Sequence, residues 1–301
     1  MQLGTQNFEL PYRRFTVLGR TTLALFFLLL IWGNLVAGLK AGLACPDWPL
    51  CRGEMIPPLR FDVWMEFTHR LIAAAATIFL VLLARRRIKS YDGVAKAVPV
   101  AVLGLIVTVI ILGGITVIME LPPQITTIHF MAGVTVFLLV GYMSLFDGDK
   151  IAPCFAAKGY AGLFFGLAML IFFQAALGAY VRHSGAGSAC PDFPTCLGSW
   201  LPHLSGGVLI HYSHRILAYL IVGTITALAA AIFLDERLRR HRRSALFFLI
   251  LVVVQIGVGA GVVQSGLNFA ATAFHLAMAL VMLLVMGRMW AIEASGDGGA
   301  P

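Results

Sequence analysis

The sequence predicts an all-α, polytopic membrane protein: eight transmembrane helices arranged as two tandem, pseudo-symmetric four-helix bundles. Three observations predict it. Of the 301 residues, 59% are hydrophobic and 12% charged, about half the charge of a soluble domain, where roughly a quarter of residues are charged. The apolar residues fall into eight runs, each of roughly 20, the length that crosses a bilayer core. The polar landmarks recur at one offset. Cys45-Pro46-Asp47-Trp48-Pro49-Leu50-Cys51 returns as Cys190-Pro191-Asp192-Phe193-Pro194-Thr195-Cys196, and Glu66-Phe67-Thr68-His69-Arg70 returns as His211-Tyr212-Ser213-His214-Arg215, each position 145 residues on. His129 and His275 are 146 apart, so one residue was gained or lost before them. An offset held across that many polar landmarks is a duplication.

Residues 1–20 form a cytoplasmic N-terminal lead carrying Arg13, Arg14 and Arg20. The apolar run after it has no small-residue cleavage site and is expected to be retained. The N-terminal half occupies 21–147. Its first helix covers about 21–39 and has no acidic or basic residue before its end. The loop of about 40–62 contains four prolines and is not helical throughout. The second helix, about 63–84, is expected to stop at Arg85-Arg86-Arg87-Ile88-Lys89. The third covers about 97–119, and the turn Glu120-Leu121-Pro122-Pro123 leads to the fourth, about 125–146, carrying His129. A cytoplasmic linker, 148–158, precedes the C-terminal half, 159–292. That half holds a helix of about 159–181, a cysteine loop of about 182–207, a helix of about 208–234 with His211 and His214, a basic segment 235–243, and helices of about 245–263 and 271–292, the last with His275. Residues 293–301 are a tail.

An even number of helices returns both termini to one side. The Arg-bearing lead and the segments 85–89 and 235–243 share that side, which makes it cytoplasmic by the positive-inside rule. The net charge of +8 is accounted for by these loops and calls for no nucleic acid. Both cysteine loops then face outward, the periplasm for a bacterial inner membrane, where oxidising conditions favour disulfides. The even-numbered helices all run from outside to inside. His69, His129, His214 and His275 each lie one or two turns from the start of such a helix, so all four sit at one depth near the outer face.

Ionisable residues inside a membrane are costly and mark function. A hydrogen bond across helices accounts for a single membrane histidine. Four of them, paired by half and level in depth, point to ligation between facing helices. In apolar surroundings the natural reading is two bis-histidine haem sites, with an axial imidazole on each face of the iron. Copper or zinc would want carboxylate or thiolate partners at the same depth, and Glu66 is the one such group there. Glu66 precedes His69 by three residues, on the same helix face, where the second half has His211. A carboxylate beside one pocket alone could move protons or stabilise a developing cation; the simpler alternative is an ion pair with Arg70, four residues on. His211 is open to three roles: third ligand, propionate donor or packed interface histidine, the last two being favoured. Arg70 and Arg215 suit haem propionates geometrically or snorkel to the interface, and Lys40 and Arg182 are further propionate candidates. Each C-x5-C pair, Cys45 with Cys51 and Cys190 with Cys196, reads by default as a structural disulfide; a redox-active pair is the sharper alternative, and zinc shared between the four is disfavoured outside the cell. Cys154 is left without a visible partner. Gly113-Gly114 and Gly257, Gly259 and Gly261 permit close helix approach, or make room for a flat macrocycle.

At these residues the chain resembles the haem A synthase family. The motifs are Cys-Pro-Asp-Trp-Pro-Leu-Cys, Glu-Phe-Thr-His-Arg, Ile-His-Phe-Met-Ala-Gly, His-Tyr-Ser-His-Arg and Ala-Phe-His-Leu-Ala, and the likeness covers about residues 15–292. The resemblance implies a membrane oxidoreductase that converts the C8 methyl of haem O to the formyl of haem A for terminal oxidase biogenesis. It implies that His69 and His129 bind the substrate haem in the N-terminal half, and that His214 and His275 ligate the iron of a haem b cofactor in the C-terminal half. Glu66 would be the key carboxylate, and Cys45 and Cys51 the functionally important outer pair. A haem O synthase and an electron donor would be partners, beside the lipid bilayer. The small-residue content of the helices also allows a homo-oligomer. The main alternative is a di-haem b electron-transfer subunit, a quinol-linked cytochrome without haem-modifying chemistry, whose haems should sit at different depths. A thiol oxidoreductase would leave four aligned histidines unexplained, a transporter has nothing but the repeat in its favour, and a haem chaperone is separated by activity alone.

Overall fold

The computed structural model describes residues 16–146, 155 and 157–296, the side chains of 295 and 296 excepted. The lead up to residue 15 with Arg13 and Arg14, most of the linker with Cys154, and the tail from residue 297 lie outside the described residues. Among the described residues there are eight α-helices: α1 (Val17–Gly38), α2 (Phe61–Ser90), α3 (Ala97–Ile118), α4 (Pro123–Leu145), α5 (Gly159–His183), α6 (Gly206–Leu234), α7 (Arg242–Gln264) and α8 (Phe269–Gly296). All eight are long and apolar enough to cross a membrane. The strand-like features among the described residues are two isolated bridges, Cys51 with Glu54 and Cys196 with Ser199.

The helix ends follow local chemistry. Thr16 caps α1, its hydroxyl accepting from the Gly19 amide at 3.2 Å. Pro123 opens α4, where a missing N–H costs nothing. α2 does not stop at Arg85 as expected but runs on to Ser90. Arginine and lysine are good helix formers, and Arg87 turns inward: it is 1% exposed and its Nε donates to the Met143 carbonyl of α4 at 2.8 Å. The basic run is thus half surface and half strut. Tyr91, just past α2, donates to the Phe146 carbonyl at 3.1 Å.

Each half forms a closed ring of contacts. α1 packs on α2 and α4, and α3 on α2 and α4; α5 packs on α6 and α8, and α7 on α6 and α8. The rings meet where α1 and α4 touch α8 and where α4 touches α5. One apolar core runs through both, with Phe26, Leu80, Phe137 and Met143 in the first ring and Phe164, Ile225, Leu280 and Met286 in the second. Lipid gives little hydrophobic drive between helices, so small residues and interhelical polar bonds fix the packing. At the seam, Asn34 of α1 takes two bonds from the other half: its carbonyl accepts from Arg182 Nη2 at 3.1 Å, and its Oδ1 accepts from the Thr272 hydroxyl at 3.3 Å. Thr127 of α4 and His183 Nδ1 of α5 lie 3.0 Å apart. At the opposite end of the second ring Glu293 accepts from Arg240 Nη2 at 2.5 Å and lies 2.7 Å from His241 Nε2.

Replacing Arg87 by alanine strips a buried carbonyl of its donor and should destabilise the protein by about 1–3 kcal/mol. In detergent, Arg87→Ala is expected to unfold at a lower temperature than the parent chain, while Arg85→Ala, at an exposed position, unfolds with it. Equal midpoints for the two variants would show that Arg87 is no strut.

Candidate functional site

The four histidines occupy matching places. His69 and His214 are the ninth residues of α2 and α6, and His129 and His275 the seventh of α4 and α8. Each ring rests on a glycine of a neighbouring helix: Gly33 of α1, Gly113 of α3, Gly178 of α5 and Gly259 of α7. A Cβ at these glycines would stand 2.9, 3.0, 2.8 and 3.0 Å from Cε1 of His69, His129, His214 and His275 respectively. Every one of these glycines lies five residues before its helix ends, about 7.5 Å of helical rise. The imidazoles therefore share one level, toward the end of the bundle that carries the cysteine loops. Within each half the two rings are near enough for charge on one to act on the other.

His129 Nδ1 faces the Val109 carbonyl at 3.0 Å. A carbonyl accepts only, so Nδ1 carries the proton and Nε2 keeps a lone pair, the tautomer a ligating histidine needs. Nδ1 of His69, His214 and His275 is buried without a hydrogen-bond partner. A bare zinc site wants three or four protein ligands, and among the described residues no three His, Cys, Asp or Glu side chains converge. A haem iron asks the protein for two, since the macrocycle supplies the rest. Facing pairs of histidines are a donor set that fits it.

The residues flanking the histidines bind the cysteine loops. Glu66 is 6% exposed, and its Oε1 accepts from Arg70 Nε at 3.2 Å. Arg70 Nη1 donates to the carbonyls of Asp47 at 2.9 Å and Leu50 at 2.5 Å, and Nη2 to that of Cys45 at 3.0 Å. Arg215 does the same next door, Nη1 to Asp192 at 2.7 Å and Thr195 at 2.6 Å, and Nη2 to Cys190 at 2.8 Å. These guanidinium donors, expected at propionates, are thus engaged by loop carbonyls. His211, the counterpart of Glu66, is buried with Nδ1 3.2 Å from the Ala186 carbonyl. Lys40 is exposed, and Arg182 reaches across the seam to Asn34.

Both loops are closed by disulfides, Cys45–Cys51 and Cys190–Cys196. Inside each, an aspartate gathers the turn. Asp47 accepts from the amides of Arg52 at 2.5 Å and Gly53 at 2.7 Å. Asp192 accepts from the Thr195 hydroxyl at 2.5 Å and the amides of Leu197 at 2.6 Å and Gly198 at 2.9 Å. The bonds reward left-handed backbone at non-glycine residues, φ 58° at Arg52 and 54° at Leu197. Above the N-terminal site the Trp48 indole lies against the backbone of Gly114, where a Cβ would stand 3.1 Å from its Cδ2. In the other loop Phe193 lies under the Arg215 guanidinium at 5.7 Å.

Sequence reasoning missed two groups. Gln174 and Gln255 stand beside His214 and His275, with their Nε2 atoms 3.4 and 3.3 Å from the respective imidazole Nε2. The register of the duplication held the signal, since the matching N-terminal residues are Leu29 and Val109. His183, assigned to a loop, ends α5 and reaches Thr127 and the Phe130 ring, 6.3 Å away; its counterpart is Gly38, so the repeat carried no hint of it.

The Thr195 hydroxyl, then the Gly198 amide, hold the Asp192 carboxyl down at about 2 against an ordinary 3.8. A depressed acid lends its stabilisation fully above the ordinary value and loses it as pH falls through the folded one. Hydrogen exchange at the Leu197 and Gly198 amides should therefore stay protected down to about pH 4 and lose protection as pH drops through about 2. Undiminished protection below that range would remove Asp192 as the loop's clasp.

The family model of cytochrome oxidase assembly proteins, COX15-CtaA, matches residues 16–287. A heme A synthase of Halalkalibacterium halodurans is 26% identical over 289 residues, 91% of this chain and 95% of the relative. A heme A synthase of Symbiobacterium thermophilum is 30% identical over 265 residues, 84% of this chain and 86% of the relative. A heme A synthase of Shewanella oneidensis is 26% identical over 314 residues, 90% and 94% of the two chains. The matched span takes in both cysteine loops, Glu66 and all four histidines, and this chain belongs to the COX15-CtaA family of cytochrome oxidase assembly proteins.

Proposed function

We propose that the protein is a haem A synthase, an integral membrane oxidoreductase that oxidises the C8 methyl of haem O to the formyl of haem A for terminal oxidases. In this reading His69 and His129 hold the substrate haem, and His214 and His275 hold a resident haem b. The observation that carries it is a pair of like sites made unlike at one point: two histidine pairs seated on glycines at one level, with a buried carboxylate, Glu66, beside one pair alone. The heme A synthases among the relatives support it over nearly the whole chain.

A haem b, when bound, supplies reversible one-electron chemistry. The rest falls to side chains. His69 and His129 orient the substrate by its iron. Glu66, fixed at Oε1 by Arg70, moves a proton at its carboxylate or balances positive charge developing on the reacting carbon. Arg70 binds the acid and four loop carbonyls with one planar group, so loop and acid are set together. Trp48 lies against Gly114, next to the glycine that seats His129, and carries the cysteine loop onto the N-terminal site. We place both termini in the cytoplasm and the cysteine loops outside, because Arg85, Arg86 and the 236–243 segment crowd the far end of the bundle. The shared level of the two sites speaks against a cytochrome that passes electrons across the membrane.

Haem extraction and chromatography of the purified protein test the assignment. Glu66→Ala should keep haem b and cut haem A formation about 10²-fold or more. His214→Ala or His275→Ala should lose haem b, whereas His69→Ala or His129→Ala should retain it. Full haem A formation by Glu66→Ala would remove the acid from the chemistry, and two haem b per chain without haem O or A would favour the electron-transfer cytochrome. The glycine seats give an independent check. Gly178→Ala should displace His214 and deplete haem b, while Gly33→Ala, the same change in the other half, should leave haem b in place and lower product. Identical haem profiles for the two variants would contradict the division of labour.

A further inference from the structure

We infer that Gln174 and Gln255 are positioning residues that set the C-terminal pair of histidines apart as a resident-cofactor site, by placing a carboxamide beside each ligand nitrogen where the N-terminal site has Leu29 and Val109. The inference rests on a haem being held between His214 and His275.

The geometry is specific. Gln174 Nε2 donates to the backbone carbonyl of His214 at 2.9 Å and lies 3.4 Å from the ring Nε2 of the same residue. The carbonyl can accept only, so the NH₂ end of the amide faces the histidine. Gln255 Nε2 lies 3.3 Å from His275 Nε2. An amide nitrogen offers donors alone, so each ring nitrogen accepts and its proton sits on Nδ1. That is the tautomer His129 reaches by another route, through the Val109 carbonyl. The amides thus fix both imidazoles in the tautomer whose Nε2 carries a lone pair, and give up that contact when iron takes it.

They also change the electrostatics. Oε1 of Gln174 and Oε1 of Gln255 are sealed from solvent without a hydrogen-bond partner, two polar atoms that an apolar bundle would not keep for packing. Leu29 and Val109 show that apolar side chains fit the corresponding places. Polar groups and hydrogen bonds around the axial ligands are among the levers by which a protein sets a haem's potential. The NH₂ end, the positive end of each amide dipole, is the one that faces the ligand nitrogen, which disfavours the more charged ferric iron, so the C-terminal site is built to hold its haem at a higher potential than an apolar pocket would.

The test is a redox titration of the purified full chain, followed by its reduced-minus-oxidised spectrum, with haem content measured in parallel. Gln174→Leu with Gln255→Val installs the residues the chain already uses in its other half, and a size-matched Gln174→Met with Gln255→Met chain is carried alongside. Both should retain haem b, with the midpoint lowered enough to decrease the ferrous-to-ferric ratio about tenfold at a fixed potential, about 59 mV for one electron. Loss of haem b from both variants, with elution on size exclusion unchanged, would support the same residues as its holders. Retained haem b with an unmoved midpoint in either variant overturns the inference. A parent chain that carries no haem b fails the underlying reading instead, a result distinct from all of these.

Discussion

An imidazole can enter a packed helix pair only where the opposite helix presents no side chain. Four times in this fold that place is a glycine, five residues from a helix end, with ring carbon and would-be Cβ about as close as atoms come. The constraint sets the spacing of α1 against α2, of α3 against α4, and of their counterparts. It also sets depth, because the glycine's place in its own helix dictates where the histidine of the next helix arrives. Cores, loops and seam have to accommodate that spacing, and the apolar clusters on the far side of each ring do so with large side chains such as Phe137 and Phe164.

The second organising element is the arginine after each first histidine. Its guanidinium gathers the carbonyls of a disulfide-closed loop that has few backbone bonds of its own. In the N-terminal half the same group also carries Glu66. Loop conformation, acid position and histidine are thereby linked within a single helical turn. In the C-terminal half the loop and the arginine persist but the acid does not, and His211 bonds to the Ala186 carbonyl instead. The two halves share a scaffold and differ in the polar groups set into it.

The sequence was most readable where periodicity and repetition spoke together. Eight spans, both loops and all four histidines follow from run length and a fixed offset. The helix ends did not, because Arg87 looks like a loop cation until its carbonyl partner on α4 is seen. Arg70 and Arg215 were read as partners for a ligand, since a sequence lists donors but not the loop carbonyls that fold back over them. Gln174 and Gln255 went unnoticed because a lone glutamine in an apolar run is unremarkable; only comparison with Leu29 and Val109 brings them out. His183 lies beyond that method, as its counterpart has no side chain.

The parity of the repeat has a geometric consequence. Each ring contains four helices and returns the chain to the end where it began, so the second ring is laid down the same way up as the first. Whichever face of the membrane the loops occupy, both histidine pairs lie toward the same leaflet. Seen from the lipid, the two pairs lie at one immersion and the same way up.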